Sequence, residues 1–519
     1  MLTASATEMS DFFNNPFMAF VGGFGIGPIP LSYARKALYP RVPRSNNSRA
    51  KYAPYGLRKV EAMLLANGFT KSEVAVVHPE DLDAFVGADT KVVGISSMDP
   101  TGMGYVSKTY SSIIGGEPLN AVEFKKLVSH RSIKKFKPKI IVGGFGSWQL
   151  ERKHVADAYG VDCVFIGGKP DEIIEVFKKA VNGEPLPRVV RAAESEVNWD
   201  YTTMPLVKHA AIHGAVEISK GCGRNCQFCT PTMHRKVDIP LDTIMNEVKT
   251  TVREGSDHIT LITEDLFLYG AKDKKFVPNK ESVVQLVKSV ADYPGVKSIQ
   301  VSHMSLAPVV CKPDMVKELA EILIKRSWYS LGKKPIITAE TGIETGSARL
   351  MRKYMAGKML PYKPEQWQEI VTSAFGILND NDWYPLATLI IGLPDEKEED
   401  VLQTLELMDA LKGYNAFYVP LFFVPLENCI LMNNKGAELD SLSKARWDFF
   451  IRCWEYNIHI WRDTFLENRF SKPIAYTAVN NIVIPTFAKI MGLYYGWKRG
   501  DQLKQAFWKL GMPQKPIEA

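Results

Sequence analysis

The 519-residue chain has no clean apolar run long enough to cross a membrane. The charge-free stretch from Phe12 to Ala34 comes nearest, but it holds Asn14, Asn15, three prolines and four glycines, and no basic residue precedes it. Such a segment makes a poor spanning helix and a poor signal peptide. It reads instead as a buried strand, Phe17–Val21, followed by a Gly/Pro-rich loop. The later apolar runs Trp383–Leu393 and Ala416–Leu426 are too short to span and suit central parallel strands. A disulfide framework is also missing: the seven cysteines, an odd number with three in one cluster, point to a reducing cytoplasm. Strong charge is absent too. A net charge of +7 permits an acidic partner and does not call for nucleic acid. No obvious His/carboxylate or Ser/His/Asp constellation stands out. What remains is an ordinary globular composition, 46% hydrophobic and 23% charged, on a length that suggests roughly two to four domains.

The densest chemistry is in Gly221–Cys229, reading GCGRNCQFC. Cys222, Cys226 and Cys229 form a C-x3-C-x2-C array just past the short apolar run Ala215–Ile218. Thiolates are soft ligands, and three so close in sequence can converge on one metal centre without long loop closure. The triplet is one ligand short of a structural zinc site and of a fully ligated cubane. It therefore favours a 4Fe-4S cluster with one iron left open to a substrate. Two plainer readings stand beside it: zinc completed by a distant residue such as His234, or three buried thiols.

Around this stretch strand and helix signals alternate, which predicts an α/β protein with parallel sheets. In a first domain, residues 10–185, strands are expected at Phe17–Val21, Glu73–Val77, Lys91–Ile95, Lys139–Val142 and Asp162–Ile166. Helices such as Tyr55–Ala66, Ala121–Lys135 and Asp171–Ala180 lie between them. The pattern predicts a doubly wound, Rossmann-like sheet with ligands at the strand carboxyl ends. Glycines crowd three of those ends: Gly22–Gly27, Gly143-Gly144-Phe145-Gly146 and Gly167-Gly168. They let the backbone approach a bulky ligand, or they are only tight turns. Gly22–Gly27 is not G-x-G-x-x-G in register, which disfavours a dinucleotide site. A polar linker is expected at 186–213.

A second domain, 214–425, repeats the alternation six times. Its strands are expected at Ala215–Ile218, His258–Ile262, Ser298–Val301, Pro335–Ala339, Pro385–Ile391 and Phe417–Phe423. Six such units curl into an open partial (β/α)6 barrel with reactive groups on loops at the strand carboxyl ends. The cysteine triplet sits in the first of these loops. Glu264 and Asp265, closing the second strand, face the same mouth as candidate catalytic or ribose-holding groups, or form a solvated loop pair. Residues 426–519 form a helical C-terminal region. There Asp440–Leu466 reads as one helix with Trp447, Trp454 and Trp461 on a core-packing face. Cys311, Cys429 and Cys453 read as buried thiols.

On these motifs the second domain resembles a radical S-adenosylmethionine (SAM) enzyme. Phe228, before the last cysteine, stands where that family has an aromatic residue near the adenine. Gly342-Ile343-Glu344-Thr345-Gly346-Ser347 resembles the family's G-x-E-S/T-G-S turn, which implies that Gly342, Glu344 and Ser347 meet the zwitterionic end of SAM. Ile391-Gly392-Leu393-Pro394 resembles its adenine-contacting G-L-P element, which implies contacts from Ile391 and Leu393. The same tripeptide with Asp395 and Glu396 could instead just begin a helix. The first domain resembles the cobalamin-binding module that precedes many such barrels. That resemblance implies a place for Gly143, Gly144, Gly167 and Gly168 beside the cofactor's nucleotide tail. No His precedes His78, so the cobalt-binding His of one family variant is missing. The lower face of cobalt would then meet the loop Ser96–Tyr110, with Tyr105 the residue to test there or simply a surface tyrosine.

Together these features resemble the cobalamin-dependent radical SAM methyltransferases of class B. The resemblance implies methyl transfer from SAM through methylcobalamin to an unactivated carbon opened by an adenosyl radical. The implied cofactors are a 4Fe-4S cluster, SAM and cobalamin, and the implied partner is a reductant such as ferredoxin or flavodoxin. The substrate is a small molecule or a peptide or protein. The long aromatic C-terminal extension leans towards the latter, as in methanogen enzymes that modify methyl-coenzyme M reductase. A cobalamin radical SAM cyclase or rearrangement enzyme is the first alternative. A tRNA methylthiotransferase resembles the chain in topology but carries three more cluster cysteines in its N-terminal domain, where this chain has only Cys163 before Cys222. A non-enzymatic metal-binding or redox-sensing protein is the third.

Overall fold

Leu2–Ala4 (β1), three buried residues upstream of the first expected strand, begins a five-stranded parallel sheet. The computed structural model describes residues 1–25, 30–167, 169–191, 204–231, 235–272, 275–331, 333–427 and 429–469. β1 pairs with Val92–Ser96 (β2), followed in order by Lys139–Gly143 (β3), Cys163–Ile166 (β4) and Val189–Arg191 (β5). On its other side β1 makes a single parallel bridge, Leu2 to Val76. The chain thus leaves β1 to one side and returns on the other. This is the order reversal of a doubly wound sheet, and it opens a crevice at the carboxyl ends of β1 and β2. The helices Tyr55–Ala66 and Pro170–Asn182 contribute Leu57, Leu64, Val176 and Phe177 to the core against Leu2, Val92 and Phe165.

Several elements differ from expectation. Phe17–Val21 lies in a 3-10 helix, Pro16–Gly23, rather than a strand. The Asn15 side chain accepts from the Phe17 N–H and Pro16 pre-sets the first turn, so local capping outweighs the apolar run. The glycines of Gly22–Gly23 therefore end a helix and not a strand. Glu73–Val77 contributes only the bridge at Val76. Ala121–Lys135 is broken into Leu119–Val128 and Arg131–Phe136, where the His130 ring accepts from the Ser132 N–H and starts a new helix. Val189–Arg191, expected in the linker, extends the sheet as β5. Cys429 and Cys453 are buried as expected, but Cys311 is half-buried. Gly168, Trp199, Tyr201, His234 and Tyr494–Arg499 lie outside the described residues, as does the Trp461 side chain.

The chain divides into two compact units, and the division does not follow the expected domain limits. The first comprises Met1–Lys220, Val237–Ile262 and Tyr293–Lys297; the second comprises Gly221–Lys236, Thr263–Asp292 and Ser298–Ala519. In the first unit Ala215–Glu217 (β6) pairs in parallel with His258–Ile262 (β9), and Ser219–Lys220 (β7) pairs antiparallel with Val237–Asp238 (β8). Buried Glu247 on the helix Leu241–Arg253 explains why these elements group with the N-terminal part. It accepts from Lys59 Nζ at 2.6 Å, the Tyr55 hydroxyl at 2.8 Å and the Val207 N–H at 3.3 Å.

The second unit holds Ser298–Val301 (β10), the antiparallel hairpin Tyr329–Leu331 (β11) and Lys334–Ile336 (β12), and a parallel sheet of Glu340–Glu344 (β13), Leu386–Ile391 (β14) and Phe417–Phe422 (β15). The parallel strand expected at Pro335–Ala339 is thus shifted to β13. Pro335 sits in the two-stranded hairpin, where its missing N–H is tolerated. Helices Lys280–Ala291, Pro313–Leu323, Trp367–Asp380 and Glu398–Ala410 alternate with these strands, the α/β class read from the sequence. The long helix Lys444–Arg469 satisfies the outer side of β15: buried Asn457 accepts from the Tyr418 N–H at 2.7 Å and donates to its carbonyl at 2.6 Å. Asn457→Ala leaves both backbone groups unpaired and is expected to lower stability by about 2 kcal/mol, read as a fall in the urea midpoint.

Candidate active site

Three backbone reversals shape the cysteine loop. Gly221, Gly223 and Asn225 all take left-handed conformations (φ 68°, 73° and 60°), and the Cys229 N–H closes a turn on the Cys226 carbonyl at 3.1 Å. Cys222 and Cys226 are buried and Cys229 is half-buried. The loop is held from outside. The Gln227 N–H donates to the Tyr354 carbonyl (2.9 Å) and its side chain to the Lys353 carbonyl (3.0 Å). Its carbonyl accepts from the Leu431 N–H (3.0 Å), and the Thr230 hydroxyl donates to the Glu427 carbonyl (2.8 Å). Among the described residues no three His, Cys, Asp or Glu side chains converge on a site for a single ion. The donor set itself, three soft thiols on one clamped loop, suits an iron–sulfur cluster. Burial pushes the Cys226 thiol up to about 11, so loading the loop with metal must displace a proton.

Arg224, between the first two cysteines and only 4% exposed, anchors the loop. Its guanidinium donates to Asp265 Oδ2 (3.0 Å), the Ser305 hydroxyl (2.9 Å) and the carbonyls of Gly357 (3.2 Å) and Lys358 (2.8 Å). It also lies 4.8 Å from the centre of the Phe276 ring. Asp265 accepts in addition from the N–H groups of Phe267 and Ser305 and from the Ser305 hydroxyl. Its oxygens are therefore fully used, and it is buried. This corrects the expectation that Asp265 faces the mouth of the barrel: it is a positioning residue for the cysteine loop. Glu264 is half-buried beside it.

The G-x-E-T-G-S segment is built partly from strain. Glu344 ends β13 in a left-handed conformation (φ 63°) at a bulge, buried, with its carboxylate 2.6 Å from Lys358 Nζ. A Cβ at Gly342 would strike this ion pair, 1.8 Å from Glu344 Oε1 and 2.5 Å from Lys358 Nζ. A Cβ at Gly357 would stand 2.1 Å from the Arg224 carbonyl. Gly357-Lys358 therefore joins the cysteine loop to Glu344 through backbone on one side and an ammonium on the other. Ser347 is fully buried: it caps the helix Ala348–Tyr354 and donates to Asp400 at 2.5 Å, so its hydroxyl is committed to the fold. Ile391, Leu393 and Phe228 are also buried. The Gly392 N–H donates to Glu396, which Arg446 holds at 2.7 Å, so the Gly-Leu-Pro element is a locked turn ahead of the helix Glu398–Ala410.

Arg224, Ser305 and Lys358 escaped sequence reasoning, and so did an acid–base pair. His303, just past β10, meets Glu340 of β13 at 2.9 Å, which corrects the expectation of no His/carboxylate constellation. The residues lie 37 positions apart, so only the parallel bridge between them brings the pair together. Burial works against the His303 charge, but Glu340, with Glu264 and the Thr263 backbone, prevails and raises it to about 9.

In the first unit, the loops after β2 and β3 meet at the crevice. Ser96 ends β2 half-buried, and Tyr105 starts the helix Tyr105–Ile114, not a loop. A Cβ on Gly144 (φ 100°) would lie 2.6 Å from the Ser97 carbonyl, and one on Gly146 would lie 2.2 Å from that of Met98. These glycines bring two backbones together, which corrects the view that they leave room for a ligand. The Gly143 Cβ position meets only Phe165 at 3.5 Å, and Gly167 is left-handed (φ 76°). Glu8, from the loop after β1, accepts from the Ser97 hydroxyl (3.1 Å) and the Met98 N–H (3.0 Å); burial pushes it up to about 7. Met98 and Phe145 are 55% and 47% exposed at these same strand ends.

No protein-family model matches the chain. Among curated proteins, the tRNA-2-methylthio-N(6)-dimethylallyladenosine synthase of Methylacidiphilum infernorum (isolate V4) is 26% identical over 297 residues, 56% of this chain and 60% of that protein. The synthase of Thermosipho melanesiensis is 24% identical over 374 residues, 72% of this chain and 78% of that protein. The chain spans 39–60% of the length of the first curated relatives it matches. Among solved structures, the radical SAM methyltransferase TsrM from Kitasatospora setae, with tryptophan substrate and a SAM analogue bound, aligns with a TM-score of 0.51 at 12% identity, covering 77% of this chain and 80% of that one. The same enzyme with cobalamin and a [4Fe-4S] cluster bound aligns at 0.50 and 11%, covering 77% and 79%. The likeness is one of fold, and at that level it bears out the resemblance to cobalamin-dependent radical SAM enzymes read from the motifs.

Two outcomes follow from this geometry. Arg224→Ala strands the buried Asp265 carboxylate and is expected to cost about 3 kcal/mol in urea unfolding and to lower iron uptake on anaerobic reconstitution, with Arg224→Lys intermediate. The His303–Glu340 pair stabilises the fold fully below the unfolded His value of 6.5, and that contribution is lost as pH rises through about 9. Thermal unfolding across this window should show the loss in the parent protein and not in Glu340→Gln.

Proposed function

We propose that this chain is a cobalamin-dependent radical SAM methyltransferase acting on an unactivated carbon. The observation that carries the reading is the clamped loop of Cys222, Cys226 and Cys229, in a chain that shares its fold with an enzyme of that class. When bound, the cluster and SAM supply an adenosyl radical and cobalamin supplies the methyl group. The chain's own residues bind and position. The three cysteines hold the cluster, and Arg224 with Asp265 fixes the loop between them. Gly342 and Glu344, tied to that loop through Lys358, border the SAM amino-acid end, with Phe228, Ile391 and Leu393 on the adenine side. Ser347 acts behind them by capping the following helix.

Cobalamin would lie at the crevice of the first unit. The exposed apolar side chains Met98 and Phe145, at the ends of β2 and β3, suit the face of a corrin ring; Ser96 and Gly143 border the same ends, Tyr105 starts the helix that follows β2, and Gly167 lies just past β4. The substrate is a small molecule, or a peptide such as a segment of methyl-coenzyme M reductase. The acidic residues Glu264 and Glu340 with His303 offer the substrate hydrogen-bonding groups near the carboxyl ends of β9 and β10. A low-potential donor such as ferredoxin or flavodoxin supplies the electron.

A second reading follows from the curated relatives, which are named methylthiotransferases. Cys163, the one cysteine before Cys222, is buried in β4 with its thiol pushed up to about 11, and among the described residues no group of three His, Cys, Asp or Glu side chains includes it. That favours methyl transfer. Anaerobically reconstituted protein is expected to bind iron and cobalamin, and replacing all three loop cysteines by Ala should abolish the iron while leaving cobalamin bound. Product mass then decides: a gain of one CH2 supports methylation, and no gain supports a cyclase or rearrangement enzyme. Zinc in place of iron, or rejection of cobalamin, overturns the proposal.

A further inference from the structure

The first unit also holds a cavity away from the crevice. A cavity of about 730 Å³ opens beside the extended segment before Val76, at the amino-terminal side of the sheet. One wall is the turn Ser45–Lys51 and the facing wall is Lys71–Val74. Both walls are fixed by guanidinium groups. Arg58, buried, donates to the carbonyls of Ala50 and Lys51 at 2.9 Å each. Arg49 donates to the carbonyls of Val74 (3.0 Å) and Lys71 (2.7 Å).

The charge lining this cavity is unbalanced. Five basic residues face two acidic ones, Glu61 and Glu254. Glu61 is taken up by Arg58 at 2.9 Å and by His209 at 3.2 Å, Arg44 is bound to Asp81, and Glu254 lies 3.6 Å from Arg253. Arg49, Lys51 and Lys71 have no carboxylate partner among the described residues. Three cations held around a concave space by rigid backbone leave an anion as the natural complement. Guanidinium and ammonium groups together, with the side-chain amides of Asn46 and Asn47 as further donors, are the usual equipment for phosphate oxygens.

We propose that this cavity binds a small phosphate-bearing ligand, with Arg49, Lys51 and Lys71 as its charge partners. The cations line a pocket of nucleotide size and not an extended stripe, which favours a compact ligand over an RNA backbone. This site is independent of the proposed methyl-transfer chemistry, so each stands or falls alone.

The test is equilibrium binding of inorganic pyrophosphate and of ATP to the full chain, compared with Lys71→Gln and with the pair Lys51→Gln and Lys71→Gln. Saturable binding at one site per chain is expected, weakened by salt and reduced at least about tenfold in the pair variant. The unfolding midpoint should change little, because neither ammonium has a carboxylate to lose, and Lys71→Gln alone also keeps the contact of the Lys51 ammonium with the Tyr52 ring at 5.1 Å. ATP binding more tightly than pyrophosphate would identify a nucleotide, and equal binding would identify phosphate alone; both support the site. Absence of saturable binding by either probe, or equal binding by the pair variant, overturns it. So does binding of a tRNA-length RNA that the same variants abolish while both small probes fail.

Discussion

A guanidinium taken out of water must find an acceptor for nearly every hydrogen, and Arg224 meets that requirement only through residues far away in sequence. Asp265, Ser305, Gly357 and Lys358 come from three separate loops, and each is drawn to one point beside Cys222 and Cys226. The burial of this single charge therefore sets where the loops after several strands can lie. Asp265 pays nothing extra in unsatisfied oxygens, since backbone N–H groups and a hydroxyl complete its shell. Lys358 extends the same logic, with its carbonyl on Arg224 and its ammonium on Glu344. A motif that reads as three thiols is in this way the visible part of a buried ionic network.

The same economy of close contact governs the first unit. Gly144 and Gly146 let two loop backbones touch at the crevice, and Glu8 ties the loop after β1 to them. The polar groups at the sheet's carboxyl ends are thus mostly spent on one another. What stays open there is apolar, Met98 and Phe145. The opposite side of the sheet has the reverse character, with cations left over around a cavity. The two ends suit ligands of different chemistry, one offering apolar surface and the other uncompensated positive charge.

Helices such as Tyr55–Ala66 and Pro170–Asn182 were legible because apolar spacing and capping residues act within a few positions. Strands were less so. β1 is only three residues long and carries no periodic signal, while Phe17–Val21 looks like a strand and is turned into a helix by Asn15 and Pro16. Pro335–Ala339 failed for a related reason, because hairpin and parallel strand compete for adjacent residues. Ser347 and Asp265, expected to meet SAM or substrate, instead turn their side chains inward to cap and to brace.

Taken alone, the amino-acid order determined the α/β alternation, the cysteine triplet and its ligand chemistry, since each depends on neighbours within a turn or two. Tertiary structure decided which charges meet: Arg224 with Asp265, Lys358 with Glu344, His303 with Glu340. Those pairings span 41, 14 and 37 residues, and no local pattern encodes them. They exist because folding draws the groups out of bulk water and sets an opposite charge within reach of each.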